Sequence, residues 1–320
     1  MKLLITGATG LIGSAIVELC KKHDIPVNYL TTDKTKIISD ENYQGFYWNP
    51  TQYDIDLCCF EGVTAIINLA GSSISKRWSA DYKNEILYSR INTLKTLNQA
   101  LGKLDTKHIN SFVSASAIGI YPNSISKLYD EDEEEIDDSF LGEVVQKWES
   151  EIDALSNCGF PVAKVRVGLV LSKNGGILPE LVKPIKSYLG ATFGNGKQWQ
   201  SWIHISDLAR IFLFVAQNQL SGNYNGVSPN PITHKKMVSE IAKVLKAPLF
   251  LPNIPRFMMK LILGEMSYLL YASQRVSSKK IAEEGFVFEY PNIGNALQDF
   301  YNGGIDNKTV TDFATEDFLS

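Results

Sequence analysis

The sequence predicts an α/β protein, a doubly wound parallel sheet followed by a smaller C-terminal cap on the side where substrate would bind. Three observations predict it. The chain opens with an apolar run that passes into glycines spaced three apart and then into a helix. Strand and helix patterns alternate through the first half. After Ser172 the alternation loosens, and glycine, proline and aromatic residues become more frequent. The expected organisation is a dinucleotide-binding unit over residues 1–171 and a substrate-side cap over 172–320, with some strands of the second part free to return to the sheet.

Leu3 to Ile5 read as a buried parallel strand, and Ile12, Ala15, Ile16 and Leu19 recur at helical spacing. Between them run Thr6, Gly7, Ala8, Thr9, Gly10, Leu11, Ile12 and Gly13. Gly7 permits the tight turn, Gly10 keeps a Cβ away from an approaching pyrophosphate, and Gly13 lets the helix pack on the strand. The free amides and positive end of the helix then face the anion. Val27 to Leu30 is the second strand, Phe46 to Trp48 a short third and Ala65 to Asn68 the fourth. A long helix from Ala80 to Leu101 precedes strand five at Ser111 to Ser114, a helix from Phe140 to Leu155 and strand six at Val162 to Val167. Helices follow at Asp207 to Ala216, Thr233 to Leu245 and Phe257 to Tyr271. Ligands bind such sheets at the carboxyl ends of the strands.

Composition narrows the function classes. The chain has 320 residues, 44% hydrophobic and 21% charged, with a formal net charge of -4. Its lysines are scattered among acids, so no nucleic-acid partner is expected. The four cysteines form no Cys-x-x-Cys pair and the four histidines lie far apart, so neither a disulfide framework nor a metal site is expected. Met1 to Cys20 belongs to the fold and is no signal peptide, which makes the cytoplasm the expected location. In Phe257 to Tyr271, Lys260 and Glu265 interrupt the apolar run short of the ~18 residues a spanning helix needs, so a buried or subunit-packing helix is expected and no membrane segment. Asp130 to Glu135, with Asp137 and Asp138, reads as a solvated loop.

The spacing Gly7-x-x-Gly10-x-x-Gly13 resembles that of the extended short-chain dehydrogenase/reductase superfamily, with its NAD(P)-binding Rossmann fold. Asn68-Leu69-Ala70-Gly71, Arg77-Trp78, Ser89-Arg90, Ser116 to Tyr121, Trp148-Glu149, Gly175-Gly176, Gln198, Ser201 to His204 and Gly264-Glu265-Met266 narrow the resemblance. They are similar to the nucleoside-diphosphate-sugar-epimerase-like family whose members carry a distinctive C-terminal domain. The resemblance places Leu69, Ala70 and Gly71 against the cofactor's adenosine and ribose. Thr6 and Asn68 would either join them or only support the sheet edge. It also marks the helices Ala80 to Leu101 and Phe140 to Leu155 as the pair through which superfamily members often dimerise, so a homodimer is the assembly it implies.

The end of strand two bears on the choice of cofactor. Thr31 and Thr32 stand where an acidic side chain would bind the ribose hydroxyls, with Lys34 and Lys36 beyond. Threonine does not repel a 2′-phosphate and lysines attract one, which favours NADP over NAD. The alternative for the lysines is a plain surface turn.

Dehydrogenases of the superfamily place Tyr and Lys four apart on one helix face, the ammonium lowering the phenol pKa. None of the 14 tyrosines is followed four residues later by lysine. With Glu149 aligned to the acidic residue late in that helix, Leu141 and Val145 hold the two positions. Ser116 matches the superfamily's catalytic serine, its alternative being a strand-end hydroxyl that satisfies backbone groups. Tyr121 would donate a proton or pack a turn before Pro122. Glu149 would act as acid or base if burial raised its pKa, or else form a salt bridge.

On the substrate side, Arg77 suits either an anionic ligand or a surface ion pair, and Trp78 and Lys83 accompany it on a loop over the cofactor. Trp148, Gln198 and Trp202 are further candidates, with Trp199 and Trp202 offering flat faces to a ring or to the core. His204 before Asp207 is either a helix cap or a site group. Arg166 is expected to tie the sheet to the cap. The leading reading is an NADP-dependent oxidoreductase or epimerase-like enzyme acting on an unidentified small polar metabolite, neutral or anionic; the alternative is a nucleotide-responsive binding protein of the same fold that has lost its chemistry.

Overall fold

The computed structural model describes residues 1–302, so the last part of the expected cap, 303–320, lies outside the described residues. Strands β1 (Leu3–Thr6), β2 (Val27–Thr31), β3 (Tyr43–Asn49), β4 (Ala65–Asn68), β5 (Ser111–Ala117) and β6 (Val162–Val167) form a parallel sheet in the order β6-β5-β4-β1-β2-β3. The order reverses between β1 and β4, which opens a crevice at their carboxyl ends. β1 and β2 are buried along their whole length, as strands of a sheet covered on both faces should be, and the polar Asn28 within β2 is satisfied by donating to the Cys59 carbonyl at 2.8 Å.

β3 is longer than its aromatic core predicts. It gains a short antiparallel partner, Ser39–Asp40, at the sheet edge. Helices α1 (Leu11–Lys22), α2 (Ala80–Leu101) and α3 (Phe140–Asp153) cover the sheet. α2 and α3 start at the serine caps Ser79 and Ser139, whose hydroxyls accept the amides of Tyr82 and Gly142.

The second half of the chain does not stand apart. After β7 (Leu169–Ser172), α4 (Leu178–Lys186) and β8 (Trp202–His204), helix α5 (Ile205–Gln217) packs back on α1, and β9 (Gly222–Gly226) adds a parallel strand beside β6. Helices α6 (His234–Val244), α7 (Arg256–Leu263), α8 (Tyr268–Tyr271) and α9 (Ile293–Asn302) follow. A separate core gathers Leu171, Leu178, Trp202, Met237, Ile241 and Leu297 from these later elements. No helix among the described residues is long and apolar enough to cross a membrane.

Two loop expectations need correction. Phe257 to Tyr271 is not one buried helix: Gly264, at φ +62, breaks it, and Phe257, Leu261 and Ile262 are exposed. The acidic run is not wholly solvated either. Glu131 is buried and accepts the Asn225 amide at 2.7 Å, and buried Asp137 accepts the Tyr268 hydroxyl at 2.8 Å and the amides of Ser139 and Asn123. Both carboxylates are turned inward by backbone donors that no charge count reveals.

Candidate active site at the carboxyl edge of the sheet

The glycine turn joins β1 to α1. Gly7 lies at φ +69, where a side chain is strained, and its carbonyl accepts the Gly10 amide at 2.9 Å. A Cβ on Gly13 would sit 2.2 Å from the Gly7 carbonyl oxygen, so only glycine lets α1 lie this close. Gly10 caps α1 without a side-chain hydrogen bond, and the first turn contains no acid. Thr9 and Gly10 are exposed, Leu11 and Ile12 half-buried, and Ala8 buried. An uncovered helix N-terminus of this shape fits a pyrophosphate.

Thr6 takes the supporting role. It is fully buried, donates to Asn68 Oδ1 at 2.7 Å and accepts the amides of Leu69 and Ala70 at 3.0 and 3.1 Å. No capacity is left for a ligand. Asn68 in turn donates to Ser114 Oγ at 2.9 Å. Together they fix the Leu69-Ala70-Gly71 segment beside the turn, with Gly71 exposed. At the end of β2, Thr31 Oγ1 accepts the Asp33 amide at 3.1 Å. Thr32 and Lys34 are exposed, and Lys34 Nζ lies 4.6 Å from the Tyr47 ring centroid.

Beyond the carboxyl ends of β5 and β6 opens a cavity of about 190 Å³. Ala117, Gly119, Leu141, Val145, Val167 and Trp148 line it from the sheet side, and Trp199, Tyr268, Leu269 and Gln274 from the cap side. Leu141 and Val145 thus present aliphatic walls where the resemblance implies a phenol and an ammonium.

The three candidate catalytic residues come together, but none lines this cavity. Side chains alternate along a strand. Ser116 therefore points away while Ala117 faces in. Ser116 Oγ donates to Glu149 Oε1 at 2.6 Å, and Arg166 grips the same carboxylate through Nε at 2.9 Å and Nη2 at 3.0 Å. Arg166 Nη1 donates to the Tyr121 hydroxyl at 2.9 Å, which donates to Asn225 Oδ1 at 2.7 Å.

All five side chains are buried. Burial by itself would raise the Glu149 pKa, but Arg166, Ser116 and Lys164 outweigh it and hold the carboxyl below its usual range. Of the two readings of Glu149, the structure shows the salt bridge and not the burial-raised acid. Burial pushes the Tyr121 phenol up to about 12, and its oxygen is engaged on both sides, so it is no proton donor here. Arg166 ties β6 to α3 and, through Tyr121 and Asn225, to β9.

The substrate candidates divide. Trp148 lines the cavity, and its indole N–H has no partner among the described residues. Trp78 and the Lys83–Glu265 ion pair stand farther out. Trp78 lines a second opening of about 440 Å³ with Phe140, Arg256, Lys260, Glu265 and Tyr268. Arg77 is exposed, and no ion pair of it occurs among the described residues.

Gln198 is corrected from a substrate contact to a structural role, and Trp202 and His204 take the core and helix-cap alternatives rather than the substrate-binding ones. Gln198 Nε2 donates to the carbonyls of Phe193 and Leu270 at 3.2 and 3.0 Å. Trp202 is fully buried and donates to the Asn230 carbonyl at 2.9 Å. His204 caps α5 by accepting the Ser206 amide at 3.1 Å and stacks between Tyr290 and Phe300. Burial lowers its pKa although Asp299 opposes the shift, so the ring is neutral near pH 7. No cluster of three metal-ligating side chains occurs among the described residues.

Sequence reasoning missed Arg90 and Tyr268 as cavity residues. Arg90 carried a signal: it sits four residues from buried Ile86 and four from buried Leu94, a cation on an apolar helix stripe. Tyr268 carried none, because it reaches the cavity only through the packing of the cap.

The sequence model of the NAD dependent epimerase/dehydratase family matches residues 3–226, and that of a domain of unknown function, DUF1731, matches residues 254–300. The chain belongs to the NAD-dependent epimerase/dehydratase family. The epimerase family protein SA0724 of Staphylococcus aureus (strain N315) is 34% identical over 297 residues, spanning 92% of this chain and 97% of that protein. The epimerase family protein SH2119 of Staphylococcus haemolyticus is 34% identical over 302 residues, with the same coverage.

Among solved structures, the human epimerase family protein SDR39U1 (isoform 2) with NADPH superposes with a TM-score of 0.80 at 25% identity, covering 95% of this chain and all of that one. A nucleoside-diphosphate sugar epimerase from Corynebacterium glutamicum gives 0.73 at 26% identity, covering 94% of this chain and 58% of its own. For a member of this epimerase/dehydratase family, the aliphatic Leu141 and Val145 in the cavity wall are the residues that most need a functional account.

Proposed function

We propose that the protein binds NADP(H) at the β1–α1 turn and is an oxidoreductase or epimerase-like enzyme whose substrate enters the cavity beyond β5 and β6. The observation that carries this reading is geometric. The uncovered N-terminus of α1 and the cavity both lie at the carboxyl edge of one parallel sheet. The human relative solved with NADPH supports the cofactor class. Thr31 and the exposed Lys34, with no acid at position 31, support the phosphorylated form.

When bound, the nicotinamide supplies or takes up a hydride. The chain's own residues position and exclude water. Leu141, Val145, Trp148 and Leu269 make a dry wall, and the Thr6–Asn68–Ser114 chain holds the loop above the turn. Tyr268 is the sole phenol in the wall among the described residues. Burial and Asp137 both push its pKa up, so it holds its proton at neutral pH and works as a hydrogen-bonding wall.

A second reading, a nucleotide-responsive protein without turnover, is favoured by the aliphatic residues at positions 141 and 145. C4-deuterated NADPH and a panel of aldehydes and ketones separate the two. Deuterium in a product supports the enzyme. Tight NADPH binding with no transfer across the panel supports the silent binder.

A further inference from the structure

Arg90 is the charged group that the reading above leaves unused. Among the described residues it is the one lining the cavity that carries a charge at neutral pH. Its Nη1 donates to the carbonyls of Ser72 at 3.2 Å and Ile86 at 2.8 Å, and its guanidinium lies 5.0 Å from the Trp148 ring centroid. No carboxylate among the described residues pairs with it. Burial pushes its pKa down to about 10, the response of a cation held in dry surroundings. Arg166, which is buried, has Glu149 on two nitrogens and its pKa is raised. The difference between the two arginines is the missing anion.

The rest of the cavity says what that anion is attached to. Aliphatic and aromatic walls dominate. Two of the polar residues are committed inward: Ser201 Oγ donates to the Gln274 carbonyl at 2.8 Å, and Gln274 Nε2 donates to the Tyr121 carbonyl at 2.6 Å. A sugar would bury several hydroxyls here without partners, which costs affinity for each. A guanidinium fork in an apolar pocket recognises one planar anion on an apolar body.

We propose that the substrate is a compact, largely apolar carbonyl compound bearing a single carboxylate, and that Arg90 is its anchor. This narrows the small polar metabolite expected from sequence, and it rests on the reading of the cavity as the substrate side of the cofactor site.

Hexanoate and its neutral isostere hexanamide test it as probes, titrated calorimetrically into the full chain with and without saturating NADPH. In the wild type hexanoate binds at least about tenfold tighter than hexanamide. In Arg90→Gln that preference disappears, in Arg90→Lys part of it survives, and NADPH affinity is unchanged in both. Equal binding of the two probes by the wild type overturns the proposal, and needs no variant to fold. A drop in NADPH affinity matching the loss of hexanoate also overturns it, because Arg90 then serves the cofactor. Failure of the wild type to bind NADPH overturns the cofactor reading instead, and the titration without NADPH still decides the anchor.

Discussion

Replacing Glu149 with glutamine tests whether the Ser116–Glu149–Arg166–Tyr121 cluster is architecture or chemistry. The carboxylate receives two charge-assisted bonds from Arg166 and one from Ser116, with Lys164 Nζ at 3.6 Å. Glutamine keeps one acceptor oxygen and turns a donor toward a guanidinium N–H. The buried Arg166 charge is left with the Tyr121 hydroxyl. Removing one partner of a buried pair costs about 3–5 kcal/mol.

At about 2–4 °C per kcal/mol for units of this size, the melting temperature should fall by roughly 10 °C. The pH dependence has a defined sign. The folded-state pKa of Glu149 lies below its ordinary 4.5, so the pair's contribution is fully present above that value and is lost as pH falls through the folded pKa. The gap between wild type and Glu149→Gln should therefore narrow on acidification below pH 4.5. Differential scanning fluorimetry from pH 3 to 8 reads both effects. A variant that melts within about 2 °C of wild type at pH 7, with hydride transfer lost, would refute the structural account and return Glu149 to the chemistry.

Three further outcomes follow from the same geometry. Gly13→Ala puts a methyl 2.2 Å from the Gly7 carbonyl oxygen, so the turn must open; NADPH affinity measured by calorimetry should fall by more than about tenfold, and an unchanged value would detach the turn from the cofactor. Thr31→Asp keeps an acceptor for the Asp33 amide but brings a negative charge to the end of β2. NADPH binding should weaken about tenfold relative to NADH, and parallel titrations that move together would count against the preference for NADP. His234 is buried against Phe193 with its pKa lowered to about 4 by burial, so the unfolded chain takes up the proton first. Stability should decline from about pH 6.5 to 4, by up to about 3 kcal/mol. His234→Phe, which keeps the stacking, should flatten that decline in urea titrations.

Much of the site was written in local spacing. The three glycines and the apolar strands act over a few residues, and periodicity encodes such relations directly. The absence of Tyr-x-x-x-Lys was equally legible, and the structure gives it meaning by setting Leu141 and Val145 in the cavity wall. Strand five runs three residues past its expected end at Ser114, which puts Ser116 inside the strand and on the face away from the cavity. A single sequence names the strand, but which face meets the cavity depends on the helix packed against it.

By itself, then, the sequence determined the fold class, the glycine turn between β1 and α1 and the lack of a Tyr-x-x-x-Lys pair, because each depends on neighbours along the chain. Tertiary structure decided that Glu149 belongs to Arg166, that Glu131 and Asp137 turn inward, that β9 returns to the sheet beside β6, and that Arg90 lines a mostly apolar cavity with no carboxylate paired to it among the described residues. Those facts join residues far apart in sequence or set the solvent around a charge. The partners and the dielectric around a charge exist only once distant elements have packed.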